Sequence, residues 1–257
     1  MQGDVTLPVN FGIIRQDTYY WCGPATTQQI LAARGQLVDE SQLARELGTT
    51  VNGTNSVDLI ANVLNRRLPD ANYIVREITD PASRQAKDLL WSDVKRSIDA
   101  GYGVAANIIA PANNTPRPTR GERAAYSGPW PVMHYVEIDG YNEGRREFRI
   151  PDSGFPDYLY WVNADQFATV IAGKGYAAST AAPVDVLDAP AVIDFIKQFV
   201  GPVISDTKDV REQLCGMGSR DAGQYTGWRQ LGQRPDGSNR TLVDGLANFR
   251  DHAGAVR

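Results

Sequence analysis

The sequence is poor in residues that staple or bridge. It holds only two cysteines, Cys22 and Cys215, and two histidines in 257 residues. One disulfide is the most they allow, which excludes a disulfide framework, and so few soft ligands do not make a closed structural zinc site. Basic charge is not in excess either. The net charge is −4, with 17 basic and 20 acidic residues up to Thr180 and 9 and 10 beyond it. Neither part has the electrostatic footprint of a nucleic-acid binder. No apolar run approaches the roughly 20 residues a membrane-spanning helix needs. The longest, Gly103 to Ala112, carries Asn107, so no membrane partner is expected. The opening Met-Gln-Gly-Asp-Val-Thr-Leu-Pro has neither the basic nor the apolar region of a secretory signal, and synthesis in the cytoplasm is expected. What is present, 42% hydrophobic and 22% charged residues, is ordinary for a globular chain able to bury a core without staples.

Residues 1–15 read as an extended lead-in. Pro24 suits the first turn of a helix running to Arg34, with Gly35 as its stop. A short helix over Gln42 to Leu47 follows, closed by Gly48, and Thr54 to Ser56 cap a third, in which Val57, Ile60, Val63 and Leu64 recur at helical spacing. Tyr73 to Ile78 reads as a strand and Pro81 to Ala100 as a long helix. Gly103 to Ala110 reads as a buried strand, and residues 111–131, with five prolines, as a long loop. Strands are expected over Met133 to Tyr141, Glu147 to Pro151 and Tyr158 to Val162. A short helix begins at Asn163, and Gly175 to Ala178 form a last strand. Helices first and antiparallel strands after them is an α+β signature. Residues 1–180 are thus expected to form one domain, 181–190 a linker, and 191–257 a helical C-terminal region with helices over Ala191 to Phe199, Thr207 to Leu214 and Leu242 to His252.

Chemistry concentrates in Gln16-Asp-Thr-Tyr-Tyr-Trp-Cys-Gly-Pro-Ala25. Cys22 falls at a helix start, where free N–H groups and partial positive charge favour the thiolate and can hold an oxyanion. Gln16, six residues upstream, supplies a second oxyanion donor if the chain folds back over the thiol. A buried structural cysteine is the plainer alternative, and Gly23-Pro24 with the upstream glutamine argue against it. His134 opens a strand face shared with Val136 and Ile138, and it is the only histidine before the linker, so the only imidazole available to Cys22 in that domain. Among groups able to orient His134, Asp139 lies on the opposite face and Asn142 in the turn. Antiparallel pairing across that turn returns Asp152 alongside His134, although Asp-Ser-Gly is also plain turn chemistry. Tyr19, Tyr20 and Trp21 suit a substrate groove or buried packing. Asn113, Asn114 and Trp130 suit a lid or, more simply, a solvated loop. Trp228 and Tyr225 suit a ligand contact or packing, Cys215 a structural position, and His252 a helix-end position.

Gln16-x5-Cys22-Gly-Pro-Ala, followed by His134-Tyr-Val-x-Ile-x-Gly-Tyr and an aspartate after the next strand, resembles the C39-like family of papain-fold cysteine peptidases over Phe11 to Ala178. The family's aspartate is often followed by proline, whereas here Pro151 precedes Asp152. The resemblance implies a papain-like fold with N-terminal helices on an antiparallel sheet. It also implies a thiol hydrolase using Cys22, His134, Asp152 and Gln16, and no metal or cofactor. The free-standing layout, and tail segments such as Gly227-Trp-Arg-Gln-Leu-Gly, are similar to endolysins from phages of actinobacteria. That likeness implies peptidoglycan peptide as substrate, a place of action at the cell wall after membrane permeabilisation, and a second lysin chain as partner of the C-terminal region. The other readings are a binding protein on a C39-like scaffold and an intracellular processing protease.

Overall fold

In the computed structural model, which describes residues 3–123, 126, 128–155, 157–183, 207–221 and 223–246, helix α1 covers Cys22–Ala33. It starts two residues before Pro24, because proline is tolerated throughout a first turn, where N–H groups lack partners anyway. Gly35, at φ 74°, turns the chain out of it. Helix α2 spans Glu40–Glu46, opening on an acidic residue rather than at Gln42. Helix α3 spans Val57–Arg67; the Ser56 hydroxyl bonds the Asp58 carboxylate instead of capping a backbone N–H. The long helix α4 spans Arg84–Asp99 and begins at the Ser83 cap, whose hydroxyl accepts from Ala86 N–H, not at Pro81. Helix α5 spans Ala164–Ile171, capped by Asn163 as its sequence predicts.

Two antiparallel sheets carry these helices. One has the order β2 (Tyr73–Ile78), β8 (Lys174–Ser179), β3 (Val104–Ala110), β4 (Val132–Ile138). The other has the order β1 (Val5–Thr6), β5 (Gly140–Asn142), β6 (Glu147–Pro151), β7 (Leu159–Asn163). The single strand expected over 133–141 is therefore two. At Asp139 the backbone N–H turns to Arg149 carbonyl, 3.1 Å, and the Arg149 guanidinium grips the Asp139 carboxylate at 2.6 and 2.8 Å. The chain leaves β3 there and takes β6 as its new partner.

Cores form on both faces of the first sheet. Ile30, Leu31, Leu43, Ile60 and Leu64 of α1–α3 meet Ala105 and Tyr135 on one face. Leu90, Val94, Phe167 and Ile171 of α4 and α5 meet Val104, Ile108, Val136, Phe148 and Ile150 on the other. Alternation along β4 thus sends His134, Val136 and Ile138 one way and Tyr135 the other. The mixed α+β architecture with antiparallel sheets is the fold class the sequence predicts.

The chain divides into two compact units, 1–184 and 185–257. Within the second, residues 207–215 are helical and 242–246 begin another helical segment. Between them lies a feature that the expected all-helical appendage lacks: strands β9 (Trp228–Gln233) and β10 (Asn239–Arg240) pair antiparallel. Its glycines hid the pattern, since Gly232 interrupts the strand and Gly237 supplies the turn. Most of the expected linker, the helix over 191–199 and His252 lie outside the described residues.

Candidate active site

Helix α1 makes Cys22 its first residue, so the sulfur sits against unpaired N–H groups at the positive end of the helix dipole. Close approach fixes this end. A Cβ at Gly23 would fall 2.3 Å from Thr54 Oγ1 and 2.9 Å from Thr54 Cβ. Burial resists ionisation of the Cys22 thiol. The hydrogen bond and charge of His134 oppose it, aided by the Tyr135 and Gly23 N–H groups, and together they hold the thiol below its usual pKa.

His134 stands near the start of β4, the outer strand of its sheet. It is buried, and burial alone would strip its charge. The Asp152 carboxylate, then the Cys22 sulfur, overcome this and raise its pKa to about 10. His134 Nε2 lies 3.0 Å from Asp152 Oδ1, which leaves Nδ1 for the sulfur. Each group thus favours the charged form of the other, the imidazolium of His134 and the thiolate of Cys22.

Asp152 follows β6 and is completely buried. A bare carboxylate there would take up a proton. Four donors prevent it: His134 Nε2, Gly154 N–H at 3.1 Å, Tyr126 Oη at 2.6 Å and Tyr160 Oη at 2.8 Å. Despite the burial, its pKa stays below the usual carboxylate value, with the His134 charge first among the causes that lower it. Both tyrosines donate to Oδ2, and His134 and Gly154 to Oδ1. Phe155 packs at a tilt on Tyr126, 4.1 Å between centroids, and meets the His134 ring edge-on at 5.7 Å. A Cβ at Gly154 would press within 3.0 Å of His134 Cε1.

Gln16 lies on the other side. Its backbone N–H donates to Ser153 carbonyl at 3.1 Å, its Oε1 accepts from Ser153 Oγ at 2.9 Å, and its Nε2 donates to Thr18 carbonyl at 2.7 Å. Among the described residues its second Nε2 proton has no acceptor. Gln16, Cys22, His134, Gly154, Phe155 and Tyr19 line a single open cleft of about 540 Å³. All four residues singled out by sequence, Cys22, His134, Asp152 and Gln16, meet at this place: the first two and Gln16 on the cleft wall, Asp152 immediately behind His134. Sequence pattern does not mark Tyr126, Tyr160 or Ser153. Tyr160 alternates with its buried neighbours like any core residue, and nothing in the loop around Tyr126 signals an inward hydroxyl.

The remaining candidates separate. Tyr19 is exposed at the cleft, while Tyr20 and Trp21 line a different depression with Arg45 and Val51. Asn114 is tied to Thr169 of α5 rather than placed as a lid, Asn113 is exposed, and Trp130 is 80% exposed. Trp228 Nε1 donates to Gln213 carbonyl, and Arg211 lies over the Tyr225 ring. Cys22 and Cys215 are both free thiols. Among the described residues no cluster of His, Cys, Asp or Glu is arranged to hold a metal, and no helix is long and apolar enough to cross a membrane.

Residues 8–179 match the family model of the Peptidase C39-like family, and residues 180–255 that of the Rv3766 C-terminal domain. No curated protein matches. Solved structures similar to the chain include a protein from Bacillus anthracis described as a C39-like peptidase, at 16% identity and TM-score 0.43, covering 69% of this chain and 98% of that one. The peptidase domain of Streptococcus ComA, a bifunctional ABC transporter of a quorum-sensing pathway, aligns at 15% identity and TM-score 0.40, covering 68% and 99%. Xylellain, a cysteine protease from Xylella fastidiosa, aligns at 14% identity and TM-score 0.42, covering 70% and 87%.

Proposed function

Because the chain belongs to the Peptidase C39-like family, we propose that it is a cysteine peptidase acting through Cys22. The observation that carries this reading is the buried His134–Asp152 pair set against a low-pKa thiol at a helix start. The Cys22 thiolate attacks a peptide carbonyl, and the carbon becomes tetrahedral. The Cys22 backbone N–H and the second Gln16 Nε2 proton receive the oxyanion. The His134 imidazolium then protonates the departing amine as the C–N bond breaks, leaving a thioester. Water, giving its proton to His134, hydrolyses the thioester and restores the thiol. Asp152 stays ionised and holds the ring in register. No step calls for a metal or organic cofactor.

The substrate we assign is peptide in bacterial peptidoglycan, with the protein serving as a phage endolysin. Support comes from the separate C-terminal unit following the peptidase unit, and from the likeness of its segments to lysin tails. In this reading residues 1–180 are the catalytic domain. The C-terminal region engages the wall or a second lysin chain, and the protein, made in the host cytoplasm, reaches the wall once the membrane is permeable. Zymography on purified peptidoglycan tests it. The wild type and Cys215→Ala should clear the gel, and Cys22→Ala should not. Cleavage of soluble peptides without clearing would favour a processing protease. No thiol-dependent hydrolysis of either would leave a binding protein on this scaffold.

A further inference from the structure

The segment bearing Gln16 is held at two points. Ser153 holds Gln16 itself. The second hold is a carboxylate: Glu40, the first residue of α2, only 4% exposed. Its Oε1 and Oε2 lie 3.3 and 3.1 Å from the backbone N–H of Asp17, the residue next to Gln16. Burying a carboxylate is costly, and a single N–H is a modest return for it. No cation among the described residues forms an ion pair with Glu40. The groups around it are Asp17 on the held segment, Arg15 on the same segment, Asp39 on its own helix, and Gln28 of α1, all lining a cavity of about 250 Å³. Gln28 Nε2 is committed to Val38 carbonyl. Among the described residues, the one hydrogen-bond donor to the buried carboxylate is thus the peptide N–H that adjoins the oxyanion glutamine.

We propose that Glu40 is a positioning residue for the oxyanion side of the cleft, fixing Asp17 and through it the aim of the Gln16 amide; this rests on the peptidase reading of the site. Ser153 and the Thr18 carbonyl hold the Gln16 amide, and the Glu40 anchor on the adjoining peptide removes the freedom of the segment to pivot. Burial, and to a smaller extent the Asp17 charge, push Glu40 up to about 7 against the pull of the Asp17 N–H. The ionised form makes the stronger, charge-assisted bond. As pH falls through about 7 the anchor loosens and turnover falls. His134 titrates near 10, above that limb, and the pH profile of Cys22 alkylation reads the thiol separately.

The test compares wild type, Glu40→Ala and Glu40→Gln on a quenched fluorogenic peptide mixture from pH 5 to 9. Cys22 alkylation by iodoacetamide and thermal melting are followed alongside. Displacing an oxyanion donor by about an ångström costs up to about 100-fold in rate, so Glu40→Ala should lose about 10- to 100-fold in kcat with little change in KM. Glu40→Gln keeps an acceptor for the Asp17 N–H. It should recover most of that loss while its kcat runs flat through pH 7. Alkylation rates should match wild type in both variants, because the Cys22–His134 pair is untouched. Unchanged kcat in Glu40→Ala overturns the assignment. So does a loss of kcat and alkylation together, which is what a merely structural role predicts. Should Glu40→Ala fail to fold, a wild-type limb near pH 7 surviving in Glu40→Gln overturns it equally. A wild type no more active than Cys22→Ala would instead refute the peptidase reading, and with it the inference.

Discussion

Tyr126 and Tyr160 give the sharpest test of how Asp152 remains charged in the interior. Their hydroxyls, at 2.6 and 2.8 Å, are the two donors to Oδ2. A hydrogen bond to a charged group contributes about 1.5–3 kcal/mol. Tyr126→Phe or Tyr160→Phe alone leaves the other hydroxyl on Oδ2, so each should cost about that much. For a unit of this size, that is a fall in Tm of about 3–12 °C. The double variant leaves Oδ2 of a fully buried carboxylate without a donor, so its loss should exceed the sum of the singles by about 0.5–3 kcal/mol. The sign of the pH dependence follows from the depressed Asp152 pKa. Its contribution is present above the unfolded carboxylate value of about 3.9 and is lost as pH falls through the folded value. The gap between wild type and variants should therefore be full at neutral pH and narrow on acidification. Tryptophan fluorescence suits the measurement, since four of the five tryptophans precede residue 184. Single variants that melt with the wild type, or a double variant no less stable than the weaker single, would refute the idea that these hydroxyls hold the charge.

Other consequences follow from the same geometry. His134→Ala should remove nearly all activity, while Asp152→Asn should lose at least about 10-fold less, because the amide can keep Oδ1 toward His134 and donate through Nδ2 to the rotating tyrosine hydroxyls; kcat for both variants decides it. Iodoacetamide should label Cys22 at a lower pH than an ordinary thiol, and in His134→Ala that labelling should retreat to higher pH as the main opposition to burial is lost. A chain ending near Ala182 should retain thiol-dependent cleavage of soluble peptides. A large drop in Tm together with lost cleavage would show that the later residues belong to the catalytic fold.

What the sequence disclosed was mostly local. Tyr73–Ile78 and Glu147–Pro151 begin and end where composition places them. Gly35 stops α1 as its freedom at positive φ requires. Alternation along β4 correctly aimed His134, and the hairpin argument brought Asp152 to it. The failures were of tertiary origin. Nothing near Asp139 announces that Arg149 will draw the strand from one sheet to the other. The Tyr126 hydroxyl comes from a proline-rich loop with no periodicity to place it. Glu40 reads as an ordinary acidic residue at a helix start, and only the return of the 10–21 segment over α2 buries it. In each case a long-range contact settled what local pattern left open.

The break at Asp139 also bears on the timing of activity. Cys22 and Gln16 lie in the first tenth of the chain, while Gln16 takes its bond from Ser153, 137 residues later. During synthesis the thiol emerges long before His134 and Asp152, and until both arrive it lacks the imidazole that ionises it. Burial in the first core, if it comes earlier, suppresses the thiolate further. The strand that crosses between the sheets carries the base on one side of the crossing and leads to the carboxylate on the other. A nascent or half-assembled chain is thus a poor nucleophile toward its neighbours and toward itself. On the peptidase reading, reactivity arrives only once the strands that bring His134 and Asp152 are in place.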